Sequence, residues 1–538
     1  MSVVNDLLGG LETAVTLQNL LFLLIGVMLG IIVGILPGLG PTAGIAILIP
    51  LTLGMDTTTA VIMLAAIYYG AMYGGSITAI LINLPGESSS VAATFDGYPL
   101  AQQGRVGPAL VMQACANFIG GILGVILLTA LIQPVSRIAR SFGPSELFLI
   151  VLLGLVTIVG IVGRDKVKGA ISMLFGLALG TVGIDLTTGA SRLTFGQPSL
   201  LSGLSFVAIV IGLFGVGEVL HNVMSGDHRR GTTVRTLAAG RLFWPSRQDW
   251  RQSMFTFPRA TVIGFIVGVV PGAGASVASF IAYAAEKAVS KVKHMFGRGA
   301  MPGLVAVESS ISASSPGAMV PMLALGIPGS AATAVLLGAF VLWGLTPGPL
   351  LMTEHADFAW GLIGSLYLGN VALLVLCIVA VPLFVKVLKI PYAYLIPSII
   401  VLCAIGTYVV SASFIDVAIM MALGIVGMLM KRYGYSPAAA VVAFVLGPLA
   451  ENTLRQTLII STDNPMFVFG RPYSVALIVL LVAVLGWSGA RRLRRAQQAA
   501  SIARSADAST KSLDATIIAG RGVDEPARDD RAPGRKGK

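Results

Sequence analysis

The sequence predicts an all-α polytopic membrane protein, with about 10–14 transmembrane or re-entrant helices in two repeats and helices broken at Pro-Gly motifs. Three observations predict it. Of 538 residues, 55% are hydrophobic and 11% charged, with a mean hydropathy of +0.87; a soluble core of this size would carry roughly twice that charge. Apolar runs near the ~20 residues that a helix needs to span recur along the chain. Two of these runs are interrupted alike, by Pro37-Gly38-Leu39-Gly40-Pro41-Thr42 and by Pro271-Gly272-Ala273-Gly274-Ala275-Ser276. The copies align without a gap, Gly30 with Gly264, Gly34 with Gly268, Gly38 with Gly272 and Thr42 with Ser276.

Taken in order, the first broken segment covers 21–53 and a second apolar run covers 60–84. A polar break, Asn83-Leu84-Pro85-Gly86-Glu87, runs on to Asp96 and Pro99. Runs at about 107–133, 146–163, 169–184 and 203–220 complete a first transmembrane repeat over 15–220. Residues 221–258, with Arg229, Arg230, Arg235, Arg241, Arg247 and Arg251, read as a basic cytoplasmic linker. The second repeat, with extra C-terminal spans, covers 259–490. It holds the second Pro-Gly break, a basic stretch from Lys287 to Arg298, and a span at 319–340 interrupted at 325–331. Further spans are expected near 359–385, 392–410, 414–430, 437–449 and 474–490. The stretch 491–538, rich in Ala, Ser, Arg and Asp, reads as a disordered basic cytoplasmic tail.

Charge gives an orientation and excludes several function classes. The net charge is +12, of which the residues from Arg491 on supply +6 (twelve Lys/Arg, six Asp/Glu). This excess is a positive-inside bias rather than a nucleic-acid footprint, so no nucleic acid is expected as a partner. No Lys or Arg precedes the first broken segment, whereas six Arg lie in the linker before the second. That places the linker in the cytoplasm and the N-terminus opposite, with inverted repeats. Arg137/Arg140 and Arg164/Lys166/Lys168 flank one run and cannot both be cytoplasmic if it spans. The first residues, with Asn5, Asp6 and Glu12 and no base, do not read as a cleaved signal peptide. Cys115, Cys377 and Cys403 all lie in apolar runs, and no disulfide or zinc spacing is present. No phosphate-binding Gly-Lys-Ser/Thr loop exists to couple ATP, and no cofactor is expected beyond a coupling Na⁺ or H⁺.

The breaks are the candidate site. Apolar segments interrupted at corresponding places in two halves point to a transporter binding site. Half-helix N-termini present unpaired amides and a partial positive charge, which suits carboxylates. The substrate-binding candidates are Pro37, Gly38, Gly40, Thr42, Asn83, Gly86, Pro271, Gly272, Gly274, Ser276, Pro328, Gly329 and Ser330. The competing reading is a packing kink for the first pair, and an extramembrane turn for Asn83–Gly86. Glu308, Glu87 and Asp96 are the carboxylates nearest the breaks and the candidates for ion coupling, since a carboxylate held in the bilayer is costly and so functional by default. Tyr69, Tyr73, Ser76 and Asn83 can line a polar path, and Arg105 can be either a fixed countercharge or an interfacial Arg. His-Glu-x-x-His and Gly-x-Ser-x-Gly are absent, so the chain does not read as an enzyme. A passive organic-anion channel, a membrane enzyme and a scaffold are the alternatives.

These stretches resemble a known family, the large membrane subunit of the bacterial tripartite tricarboxylate transporters. The likeness lies in Gly34-Ile-Leu-Pro-Gly-Leu-Gly-Pro-Thr42, Tyr68-Tyr-Gly-Ala-Met-Tyr-Gly-Gly-Ser-Ile-Thr-Ala-Ile80, Asn83-Leu-Pro-Gly-Glu87 and Phe95-Asp-Gly-Tyr-Pro-Leu-Ala101. It continues in Val270-Pro-Gly-Ala-Gly-Ala275, Ala282-Tyr-Ala-Ala-Glu-Lys287, Leu325-Gly-Ile-Pro-Gly-Ser330 and Leu336-Leu-Gly-Ala339, and spans about 15–490. The resemblance implies an ion-gradient-driven permease for a tricarboxylate or related organic acid, multi-pass in the bacterial inner membrane. Its implied partners are a small membrane subunit, a periplasmic solute-binding protein, the carboxylate substrate and membrane lipid. One departure stands out: where the family usually has an Asn pair after the conserved Glu, this chain has Ile311 and Ser312.

Overall fold

Helix formation follows the apolar runs, and helix ends follow the Pro and Gly positions. A computed structural model describes residues 3–36, 38–162, 165–185, 189–225, 244–379, 392–461 and 470–483. Pro37, Arg164, four linker arginines (Arg229, Arg230, Arg235, Arg241), residues 380–385 and 484–490 of two expected spans, and the tail 491–538 lie outside the described residues. Residues 1–477 form one compact unit; of the second, 478–538, only the helical residues 478–483 are described.

The chain begins with α1 (Val3–Val15), α2 (Leu17–Ile35), α3 (Pro41–Leu48) and α4 (Thr57–Ile82). Then come α5 (Thr94–Gln102), α6 (Val106–Ala139), α7 (Pro144–Val162) and α8 (Lys166–Gly180). After a small hairpin come α9 (Phe206–Val210), a π-helical stretch (Ile211–Val216) and α10 (Gly217–Ser225). The second half holds α11 (Arg247–Ser253), α12 (Thr256–Val269), α13 (Gly274–Val289), α14 (Met301–Leu325), α15 (Ala331–Leu342), α16 (Leu351–Glu354) and α17 (Ala356–Val379). Tyr392–Ser411, Phe414–Arg432 and Pro437–Ser461 follow. Among the described residues, seven helices are long and apolar enough to cross a membrane, and six shorter ones are apolar.

Two helix pairs form the centre. On α2, a Cβ at Gly26, Gly30 or Gly34 would fall 2.6, 2.4 or 2.1 Å from the carbonyl oxygens of Met63, Ile67 and Ala71 on α4. On α12, a Cβ at Gly264 or Gly268 would fall 2.3 Å from the carbonyl oxygens of Ser310 and Ser314 on α14. Small residues thus let backbones touch, which is how helices associate where lipid gives no hydrophobic drive. α4 and α14 are buried along nearly their whole lengths, so the core of the bundle is these two helices.

The structure departs from the sequence expectations in four places. The span expected at 319 begins at Met301, eighteen residues earlier. Ser309, Ser310, Ser312, Ser314, Ser315 and Pro316 lower the hydropathy there, but the hydroxyls are satisfied: Ser310 and Ser314 donate to the carbonyls of Val307 and Ile311, and Ser309 and Ser312 to those of Ala116 and Asn117 on α6. The helix expected at 437–449 continues to Ser461. The all-α fold carries one antiparallel pair of two-residue strands, Gly183–Ile184 with Ser191–Arg192. Within the expected linker, α10 reaches Ser225, and α11 is N-capped by Ser246.

Candidate functional site

All four breaks are real interruptions, and they occur as two matching pairs. α2 ends at Leu36 (φ −77°, ψ 113°) and α12 at Val270 (φ −76°, ψ 116°). Gly38 and Gly272 follow at φ +84° and +78°, a conformation that glycine adopts without steric cost. α4 stops at Asn83 and α14 at Gly326, both left-handed. The next helical turns are N-capped by Glu87 (φ −147°, ψ 175°) and Ser330 (φ −150°, ψ 170°), each in a capping box.

Within each half, one break is tied to the other by a main-chain hydrogen bond. The Gly38 N–H donates to the Gly86 carbonyl at 3.1 Å, and the Gly272 N–H to the Gly329 carbonyl at 2.9 Å. Between halves, the Ser88 and Ser276 hydroxyls are 2.6 Å apart, and the Tyr68 hydroxyl is 3.5 Å from that of Ser330. A cavity of about 400 Å³ lies between the halves. Its walls include Thr42, Tyr68, Glu87, Ser88, Gly272, Gly274, Ser276 and Ser330. A second cavity of about 410 Å³ shares Thr42, Glu87 and Ser88 with the first and continues past Gly38, Gly40 and Gly86 to Phe214, Glu218 and Lys431. The amides of the first turns of α3, α13 and α15 have no acceptor within their own helices, apart from Thr333, which the Ser330 hydroxyl caps. This arrangement offers hydroxyls and main-chain donors to an oxygen-rich anion.

The remaining candidates are distributed around it. Asn83, Pro271, Pro328 and Gly329 do not line either cavity. Asn83 stops α4, and Gly329 packs so that a Cβ would fall 2.7 Å from Cα of Ala318. Of the carboxylates, Glu87 lines both cavities and accepts the Ser89 hydroxyl. Glu308 is fully buried inside α14; its Oε2 accepts from the Asn117 amide at 2.7 Å, and its Oε1, with Ser76 and Gln113 as polar neighbours, has no well-formed hydrogen bond among the described residues. Asp96 is away from the cavities. Its Oδ1 accepts the amides of Gly297, Gly299 and Ala300 at 2.8, 3.0 and 2.8 Å and so anchors the turn that enters α14. Arg105 is not a countercharge in the cavity: it forks onto Asp249 at 2.8 and 2.7 Å, tying the start of α6 to α11. Tyr69 and Ser76 are buried, Ser76 beside the Glu308 carboxyl, and neither hydroxyl has a well-formed hydrogen bond among the described residues.

Sequence reasoning missed Ser88, Phe214, Glu218 and Lys431. Ser88 was visible as part of a polar break. Lys431, beside Arg432 at a helix end, carries no local signal that separates a cavity cation from an interfacial one.

Three comparisons with known proteins bear on this geometry. The chain matches the tripartite tricarboxylate transporter TctA family over residues 20–442. It is 41% identical over 483 residues, 90% of this chain and 95% of the relative, to an uncharacterized 52.8 kDa protein in the TAR-I ttuC' 3' region of Agrobacterium vitis. It is 39% identical over 223 residues, 41% of this chain and 92% of the relative, to an uncharacterized protein in the TAR-II ttuC' 3' region of the same organism. No solved structure matches. The match covers both pairs of breaks and the cavity between them, and the chain belongs to the tripartite tricarboxylate transporter TctA family.

Proposed function

We propose that this protein is the permease subunit of a tripartite secondary transporter that takes up a carboxylate driven by an ion gradient across the bacterial inner membrane. The observation that carries this reading is the pair of equivalent main-chain bonds, Gly38 to Gly86 and Gly272 to Gly329, which hold four helix interruptions around one polar cavity. Residues 221–258 join two inverted repeats, and the cavity faces each side in turn as the repeats rock. Amides and hydroxyls at Thr42, Gly274, Ser276 and Ser330 hold carboxylate oxygens. A small membrane subunit and a periplasmic solute-binding protein complete the system, the latter delivering the substrate.

The coupling cation, Na⁺ or H⁺, acts at a carboxylate. Glu308 and Glu87 suit this role better than Asp96. Glu308 is buried with an open acceptor, and Glu87 faces the cavity. Asp96 is engaged by three amides.

The test is uptake of labelled mono-, di- and tricarboxylates into proteoliposomes holding the complex, with the binding protein outside. Saturable accumulation that collapses when Na⁺ and H⁺ gradients are dissipated is expected. Non-saturating flux that persists without any gradient would make the protein a passive channel.

A further inference from the structure

The two adjacent cavities are lined by many oxygens and, among the described residues, by a single Lys or Arg, Lys431. Its ammonium forms an ion pair with Glu218, and both side chains line the cavity beyond Gly38. This pair is rigidly placed. The helix Phe414–Arg432 meets the π-helical stretch backbone to backbone: a Cβ at Gly427 would fall 2.6 Å from the Leu213 carbonyl oxygen, and one at Gly212 2.6 Å from that of Met420. Glu218 lies two residues after the stretch, and Lys431 lies one turn past Gly427. π-Helical insertions are rare and often mark functional positions. One turn beyond Glu218, outside the lining of either cavity, the Asn222 side chain abuts Gly38, where a Cβ would fall 2.4 Å from Nδ2, and that Nδ2 has no acceptor among the described residues. Lys431 thus places a cation beside the first break, and the anion it holds is a carboxylate of the protein itself.

We infer that Lys431 forms a second carboxylate subsite, and that Glu218 is the internal carboxylate which a substrate carboxylate displaces from it. The inference rests on the transport reading above and deepens it. One carboxylate of the substrate lies in the cradle at Thr42, Ser276 and Ser330, and another reaches Lys431 past Glu87 and Ser88, which line both cavities. The protein therefore selects polycarboxylates over monocarboxylates. A fixed cation in the cavity discriminates by charge count, because only a substrate with a further carboxylate can replace Glu218 on it.

The experiment measures binding of a mono-, a di- and a tricarboxylate to the purified membrane complex without the binding protein, alongside its thermal unfolding. Lys431→Gln is expected to weaken di- and tricarboxylate binding by about tenfold or more and monocarboxylate binding by less than about twofold, whereas Glu218→Gln tightens polycarboxylate binding. The swap Lys431→Glu with Glu218→Lys separates a subsite from a purely structural pair. It is expected to restore the unfolding temperature without restoring polycarboxylate binding, because the cation then projects from the other helix. Equal weakening of all three ligands by Lys431→Gln, no weakening at all, or full recovery of binding in the swap would overturn the subsite while leaving the transport reading intact. A wild-type complex that binds none of the three would overturn both.

Discussion

The first-half pair of breaks and the second-half pair share a backbone but not a chemistry. Leu36 and Val270 leave their helices at nearly the same angles, Gly38 and Gly272 turn alike, and Glu87 and Ser330 cap the following turns in the same conformation. The side chains then diverge. A carboxylate caps the first half where a hydroxyl caps the second. Tyr68 and Met72 from α4 line the central cavity, but no residue of α14 does. The Lys431–Glu218 pair stands beside the first break only. The buried carboxyl of Glu308 belongs only to the second half, since the register that pairs Gly86 with Gly329 puts Ala65 at its place in α4. The lesson is that the two halves share their main-chain geometry at the breaks while the side chains around them differ, so on the proposed transport reading specificity and coupling are to be sought in the residues that break the symmetry.

The largest expected effect tests the shared backbone. Gly38→Val and Gly272→Val each force a β-branched side chain to positive φ, at about 1–3 kcal/mol of strain, and the first also collides with Asn222. Both variants are expected to insert in the membrane and to lose uptake; normal uptake in either one would end the equivalence of the two halves. Next is the asymmetry in carboxylates. Glu308→Gln keeps the shape of α14 and removes an ionisable carboxyl for which α4 has no counterpart, so the ion or pH dependence of uptake is expected to change. An unchanged ion and pH profile would remove Glu308 from coupling.

The smallest effect on uptake is expected away from both pairs, at Arg105→Gln. Burial pushes the Asp249 carboxyl up, and the Arg105 guanidinium and Ser246 outweigh it, leaving the group below the usual carboxylate range. A depressed carboxyl stabilises the fold above its unfolded value and ceases to do so as pH falls through its folded value. The tie of α6 to α11 is therefore present at neutral pH and lost on acidification below the ordinary Asp value of about 3.9. The variant is expected to unfold more easily at neutral pH by about 1–3 kcal/mol, with the difference from wild type shrinking in acid and uptake changing by less than about twofold. A large loss of uptake with unchanged stability would return Arg105 to the site.

Local chemistry explains what could be read in advance. Pro and Gly act on their own residues, so the interruptions at 36–40, 83–87, 270–273 and 326–330 were visible one by one, and their repetition pointed to a site. Apolar runs located most helices for the same reason. α14 was truncated at its start because hydropathy counts a serine as polar whether or not its hydroxyl is bonded, and here Ser309, Ser310, Ser312 and Ser314 all find carbonyls.

By itself, then, the sequence determined a membrane-embedded helical protein whose helices break twice in each half. Only the tertiary structure decided which breaks meet and what faces the space between them. Ser88 finds Ser276 across 188 residues and Tyr68 approaches Ser330 across 262, separations at which periodicity and propensity carry no information. The same holds for Arg105, committed to Asp249, and for Lys431, brought to the cavity by a glycine-lined contact between helices that lie far apart in the chain. Packing decides such pairings, because in lipid each buried polar group must find a partner within the protein.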